Sequence, residues 1–246
     1  DGDMAKAAEI LRIKGLKGVT KREGRSASNG LVAAKAGDGV GTLVEVNCET
    51  DFVAKGDRFI MLAEQVLAQA IATEATDAAA LVASTLPDGR TVAELLIEGN
   101  AATGEKIEVR RVARVTGERV VSYLHRTSKD LPPQIGVLLA TSGGGEEIAH
   151  DVAMHIAAFS PTALAREDVA EDVVANERRI AEATAREEGK PEAALPRIIE
   201  GRVNGFFKEN VLLEQAFAKD QKKSVAQVLK EAGAEATSFA RFRVGN

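Results

Sequence analysis

The sequence predicts an α+β fold built from one repeated unit, and three patterns carry that prediction. Segments alternating apolar and polar residues come in hairpin pairs, and each pair is followed by a stretch with helical periodicity. The order strand, turn, strand, loop, helix then occurs twice, over residues 30 to 72 and over 119 to 160, which implies an internal duplication. Each half is expected to be an antiparallel sheet with helices on one face. The division expected is a core unit at 30 to 116 and a second at 117 to 246, the second interrupted by a helical, coiled-coil hairpin at about 162 to 223. A linker at 17 to 29 and a single helix within 1 to 16, the remnant of an N-terminal helical domain, stand in front.

Taken in order, residues 3 to 14 place Met4, Ala7, Ala8 and Leu11 on one side of a short helix that Gly15 stops. One such helix cannot bury its own stripe, so it reads as the end of something longer. Residues 17 to 29 are basic, polar and rich in Gly and Ser, as linkers are. From Gly30, G-L-V-A-A-K-A and G-T-L-V-E-V-N-C flank the turn signal Gly37-Asp38-Gly39. That G-x-G precedes a strand instead of leading from one into a helix, so it is not a dinucleotide motif.

Phe59, Leu62, Ala63, Val66, Leu67, Ala70 and Ile71 then recur at the spacing of an amphipathic helix. Residues 77 to 102 read as two short helices about Pro87-Asp88-Gly89, and Ile107 to Val115 as a strand. The repeat brings strands at Arg119–His125 and Ile135–Thr141, a Ser-Gly-Gly-Gly loop, and a helix carrying Ile148, Val152, Ile156 and Phe159. Residues 167 to 188, with Val169, Val173 and Ile180, and residues 192 to 208 form the charged hairpin around Gly189-Lys190-Pro191. A helix near Val225, Val228 and Leu229 leads to a closing strand at Thr237–Val244.

Composition narrows the function. The 246 residues suffice for one large core or two modest domains, and the 45% hydrophobic and 28% charged fractions are those of a globular protein. Basic and acidic residues, 32 and 37, are interspersed, so no footprint for nucleic acid is expected. No apolar run approaches the roughly 20 residues of a membrane span, and the opening D-G-D-M is no leader peptide, so neither secretion nor membrane binding is expected. The single Cys48 fits a reducing, cytoplasmic setting and alternates with Val44 and Val46 as a small buried residue.

Chemistry fares no better. Ser142 to Glu147 has the grammar of a phosphate cradle, but no Lys follows and Glu146 and Glu147 would repel a phosphate; a flexible turn and no bound nucleotide are expected. His150 and His155 lie five apart, about 140° around a helix, and cannot share a metal. His155 falls on the apolar face and reads as a core histidine. No nucleophile and base pattern is legible, so neither an enzyme, a cofactor nor a metal is expected.

The informative stretch is Glu45 to Asp57, E-V-N-C-E-T-D-F-V-A-K-G-D. Between its strand and the next helix stand Thr50, Asp51, Phe52 and Val53, where a turn more usually carries Gly, Asn or Ser. One reading is a helix start, with Thr50 or Asp51 as cap and Phe52 folded back as a hydrophobic staple. The other is an apolar plug beside a carboxylate, presented on a rigid base to a partner. The pattern alone leaves both open.

E-V-N-C-E-T-D-F-V-A-K at 45 to 55, G-E-K-I-E-V-R-R-V at 104 to 112, A-M-H-I-A-A at 153 to 158 and S-V-A-Q-V-L-K at 224 to 230 together resemble the bacterial translation elongation factor Ts family over essentially the whole chain. The resemblance implies two related subdomains, a coiled-coil insertion in the second, and catalysed release of GDP from elongation factor Tu. It implies that Thr50, Asp51, Phe52 and Val53 enter the partner's GTPase domain and displace its magnesium ion. Tyr123 and His125, matching S-Y-x-H, would meet another domain of the partner. The family begins with a three-helix domain like a ubiquitin-associated fold; residues 1 to 14 look like its last helix alone, so that domain's contacts are not carried over. A scaffold that binds a GTPase without speeding exchange is the rival reading, and a homodimer formed through the hairpin stays open.

Overall fold

The computed structural model describes residues 24 to 245. The helix expected at 3 to 14, and most of the linker, lie outside them. The first hairpin forms because Asp38 and Gly39 both take positive φ, 51° and 75°, the two-residue turn whose twist suits paired antiparallel strands. It joins β1 (Asn29–Gly37) to β2 (Val40–Cys48). Four helices follow, the one-turn α1 (Asp51–Ala54), α2 (Asp57–Ala72), α3 (Ala78–Ala83) and α4 (Val92–Thr103), before β3 (Glu108–Thr116) pairs with β2 from the other side.

The second half runs β4 (Arg119–His125), β5 (Ile135–Gly143) and α5 (Glu146–Phe159). Then come α6 (Glu171–Glu187) and α7 (Leu195–Asn210), a short hairpin of β6 (Ala216–Phe217) and β7 (Asp220–Ser224), α8 (Val225–Glu231) and β8 (Ala234–Arg243). β8 pairs with β5, so both three-stranded sheets are antiparallel with the second strand of each unit at the centre. The β6–β7 hairpin carried no sequence signal, because a two-residue strand has no periodicity to read.

The layers run helix, sheet, sheet, helix. Val44, Val46 and Cys48 of β2 face Phe59, Ala63 and Val66 of α2, and Val137 and Leu139 of β5 face Val152 and Ile156 of α5. The other faces of the two sheets meet each other through Val32, Leu43 and Val115 on one side and Val120, Leu138 and Phe242 on the other. Two glycines make this approach close. A Cβ on Gly41 would stand 2.8 Å from the Leu138 side chain, and one on Gly136 would stand 2.6 Å from Leu43. Each central strand thus lodges its leucine over the other's glycine.

Glu45 is fully buried at this junction. A carboxylate there is tolerable only if its lone pairs are met. Arg111 binds it through Nε at 2.7 Å and through Nη2, and the Gly245 N–H donates to it at 3.1 Å. Arg111 also donates to the Arg243 carbonyl at 2.9 Å and lies over the Phe242 ring, 4.5 Å from its centroid. The two units are tied together through this one guanidinium.

Two expectations need correction. In α6 the residues that seat the helix are Ala181 and Ala185, with Val174 at its base, whereas Val173 and Ile180 are exposed. Small side chains let α6 and α7 lie close, with Arg178–Glu200 and Arg202–Glu188 pairs (3.3 and 2.8 Å) across them. Ile71 and Phe159 end their helices partly exposed, and Gln69 is buried in α2 instead, donating to Ser84 Oγ and the Thr85 carbonyl, each at 2.9 Å. The Ser142–Gly145 segment is exposed over its three glycines and leads from the end of β5 into α5. Gly143 and Gly144 take φ of 63° and 60°, and Arg119 Nη1 donates to both their carbonyls at 3.0 and 3.1 Å.

Candidate functional site

The stretch after β2 is a helix start whose aromatic side chain faces outward. Thr50 is extended and caps α1, its Oγ1 accepting the Val53 N–H at 3.3 Å, while its carbonyl accepts the Ala54 N–H at 3.2 Å. The capping half of the first reading is therefore what the residues do. The staple half is not: Phe52 is 75% exposed. In a one-turn helix the four side chains fan to all sides, so Val53 and Ala54 turn onto the α2 core while Asp51 and Phe52 point outward.

The four residues thus divide their work. Thr50 and Val53 hold the turn; Asp51 and Phe52 are offered. Lys55 is their only attendant among the described residues, its Nζ 4.0 Å from Asp51 Oδ2 and 5.8 Å from the Phe52 ring centroid. Both contacts are loose and exposed, worth at most about 1 kcal/mol each.

The base beneath is rigid. Cys48 donates its thiol to the Thr50 carbonyl at 3.2 Å, and burial, aided by the nearby Glu105 carboxylate, pushes its pKa up to about 12. It stays a neutral packing residue, as its alternation implied. Residues to which sequence reasoning gave no role complete the base. Glu105 accepts the N–H groups of Glu49 and Thr50, each at 3.0 Å, and the Thr50 hydroxyl at 2.6 Å. Glu49 in return accepts the Lys106 N–H at 2.6 Å and pairs with Arg25 at 3.3 Å. The signal for Glu105 was the G-E-K-I-E-V motif, which had no assigned job.

Tyr123 and His125 belong to β4, on the second sheet. Tyr123 is half-buried beside the second core, its hydroxyl 3.2 Å from His125 Nδ1 and its ring edge-on to His150 at 5.6 Å between centroids. A groove lined by Ile60, Leu67, Leu124 and Pro133 opens between Lys55, beside Phe52, and Arg126, beside His125.

His155 is a satisfied core residue. Its Nε2 lies 2.9 Å from Gln215 Oε1 and its Nδ1 accepts the Ala218 N–H at 3.2 Å, so the ring is neutral with its proton on Nε2. Burial holds its pKa below the ordinary value, against the opposing pull of Gln215. Among the described residues no three His, Cys, Asp or Glu side chains are placed to hold a metal, and no helix is long and apolar enough to cross a membrane.

Comparison with other proteins bears on the chain as a whole. The family model described as "Elongation factor TS" matches residues 49 to 246. The chain belongs to the elongation factor Ts family. The protein of that name from Renibacterium salmoninarum is 63% identical over 248 residues, covering 100% of this chain and 89% of its own. Those from Pseudarthrobacter chlorophenolicus and Acidothermus cellulolyticus are 61% and 62% identical, covering 100% of this chain and 89% and 88% of theirs. Membership of the elongation factor Ts family makes this chain a translation elongation factor, and the model match begins at Glu49, at the foot of the Phe52 turn.

Proposed function

We propose that this chain is a guanine-nucleotide exchange factor that binds elongation factor Tu carrying GDP and promotes GDP release in the cytoplasm. Family membership supports the class of activity, and one observation supports the mechanism. That observation is Phe52, an aromatic left three-quarters exposed on a turn whose backbone is held at Thr50, Val53 and Ala54. Exposing a phenylalanine forgoes about 2 kcal/mol of burial, and tying down its base favours insertion by removing entropy that binding would otherwise cost.

In a P-loop GTPase, magnesium and the phosphate-cradling backbone supply much of the affinity for nucleotide. A wedge that shifts either weakens GDP without making or breaking a covalent bond. Phe52 is the packing wedge and Asp51 the polar element that perturbs the magnesium site. The two sheet units, read as copies of one module, grip separate surfaces of the partner, the second through Tyr123 and His125. Because they are locked together by Gly41, Gly136 and Arg111, which binds Glu45 of its own unit and the Arg243 carbonyl of the other, their joint grip aims the turn. Coupling is reciprocal, so a factor that weakens GDP is itself weakened by incoming nucleotide and leaves.

The test is stopped-flow release of fluorescent GDP from elongation factor Tu with substoichiometric factor and excess unlabelled GDP. Acceleration with repeated turnover is expected. Binding without acceleration would mean a scaffold and would sink the proposal.

A further inference from the structure

We propose that Glu105 is the positioning residue of the exchange turn, the side chain that fixes the direction in which Phe52 is presented. The proposal rests on reading Thr50–Val53 as the element that enters the partner. Its ground is the geometry at the end of β2. One carboxylate accepts three donors there, the Glu49 and Thr50 N–H groups at 3.0 Å through Oε2 and the Thr50 hydroxyl at 2.6 Å through Oε1. Charge-assisted bonds of this kind are roughly twice as strong as neutral ones.

Thr50 immediately precedes α1, and Glu105 holds both its N–H and its hydroxyl. The Thr50 hydroxyl donates to Glu105 and accepts from the Val53 N–H, so the carboxylate orients the cap and the cap orients the turn. Without Glu105 the two Thr50 donors lie at an exposed site where water can satisfy them, and the Glu49 N–H at a part-buried one. The fold does not need the carboxylate to avoid a buried unpaired group; the direction of the turn does.

Glu105 is itself well anchored. It follows Gly104, the left-handed C-cap of α4 with φ 78°, and its own N–H donates to Thr103 Oγ1 at 3.2 Å. The next two residues are held as well, Lys106 N–H by Glu49 Oε1 at 2.6 Å and Ile107 N–H by the buried Asn100 Oδ1 at 2.7 Å. Glu49 and Glu105 therefore each accept the backbone of the other's segment. This reciprocal clasp joins the end of β2 to the start of β3 beneath the turn.

The experiment uses the whole chain and reads GDP release from elongation factor Tu against factor concentration for Glu105→Ala, Glu105→Gln, Phe52→Ala and the Glu105→Ala/Phe52→Ala pair. Glu105→Ala should lower the maximal rate about tenfold, with Glu105→Gln between it and the parent, since an amide keeps one acceptor oxygen and turns a donor toward an N–H. The concentration for half-maximal rate should change less than about twofold, because the rest of the grip is intact. If Glu105 acts through Phe52, the paired variant should be no slower than Phe52→Ala alone. Amide exchange at Thr50 should quicken in Glu105→Ala while the thermal midpoint stays close to the parent's.

The outcomes separate cleanly. Phe52→Ala slow with Glu105→Ala and Glu105→Gln at the parental rate overturns the positioning role and leaves the exchange turn standing. Phe52→Ala at the parental rate overturns the turn itself. Effects that multiply in the paired variant mean that Glu105 serves the fold or another contact, and also overturn the proposal. Should Glu105→Ala fail to fold, Glu105→Gln alone and paired with Phe52→Ala decides by the same criteria.

Discussion

The connections that follow β2 and β5 occupy the same place in two sheets of the same connectivity, and they are chemical opposites. After β2 comes Thr50–Val53, carrying an exposed phenylalanine and a carboxylate on a capped turn held by Glu105. β5 itself ends in Ser142–Gly143 and runs on through Gly144–Gly145, with no large side chain and two left-handed glycines. There a Cβ on Gly143 or Gly144 would meet Gly233 or Ala234 at 2.4 or 2.5 Å. Arg119 ties down the second turn much as Glu105 ties down the first, but what it holds is backbone closing onto β8. Position in the fold makes such a turn rigid; only the side chains mounted on it give it something to deliver.

That contrast can be broken in order of expected effect. Arg111→Met strands the buried Glu45 carboxylate between the units and should cost about 3–5 kcal/mol of stability by urea unfolding. A loss under about 1 kcal/mol would show that Glu45 finds other partners. Phe52→Ala should lower the GDP release rate about 100-fold, the size of a central aromatic hot spot, with an unchanged urea midpoint. Gly144→Val should do the reverse, costing about 2 kcal/mol of stability through its positive φ and its collision with Ala234, while the folded fraction exchanges nucleotide at the parental rate. A slow but stable Gly144→Val protein would mean that the two turns do not divide structure from function as described.

A smaller effect concerns acid. The folded pKa of His155 lies below its ordinary value of 6.5, so the unfolded chain binds a proton that the folded chain refuses. This contribution to stability is complete above about pH 6.5. It falls as the pH drops from there toward the lowered pKa, below which it levels off. The urea midpoint should therefore decline on acidification more steeply in the parent than in His155→Gln; equal slopes would mean that the ring takes up its proton while folded.

How much of this was legible depended on periodicity. Helix α2 showed in the sequence because it buries a regular face, and β4 and β5 because each is a short apolar run bounded by turn residues. The packing of the two sheets on each other did not. Its marks are Gly41 under Leu138 and Gly136 under Leu43, and a glycine in a strand pattern does not say what fills the space it leaves. Within the candidate site, Phe52 stood out because it sat where a turn residue was expected. Whether it tucked in or pointed out turned on the fan of side chains around α1. Glu105 was invisible because its partners, two N–H groups and the Thr50 hydroxyl, stand more than fifty positions away, and a carboxylate on a surface loop reads like any other.

The measurement that bears most directly on the central claim is GDP release from elongation factor Tu at saturating factor, for the parent and for an Asp51→Ala/Phe52→Ala double variant, with binding of each to nucleotide-free elongation factor Tu measured alongside. The account predicts that the double variant still binds but leaves release near the rate without factor. A double variant that binds and releases GDP as fast as the parent would contradict it, and the turn after β2 would then be a contact rather than the wedge.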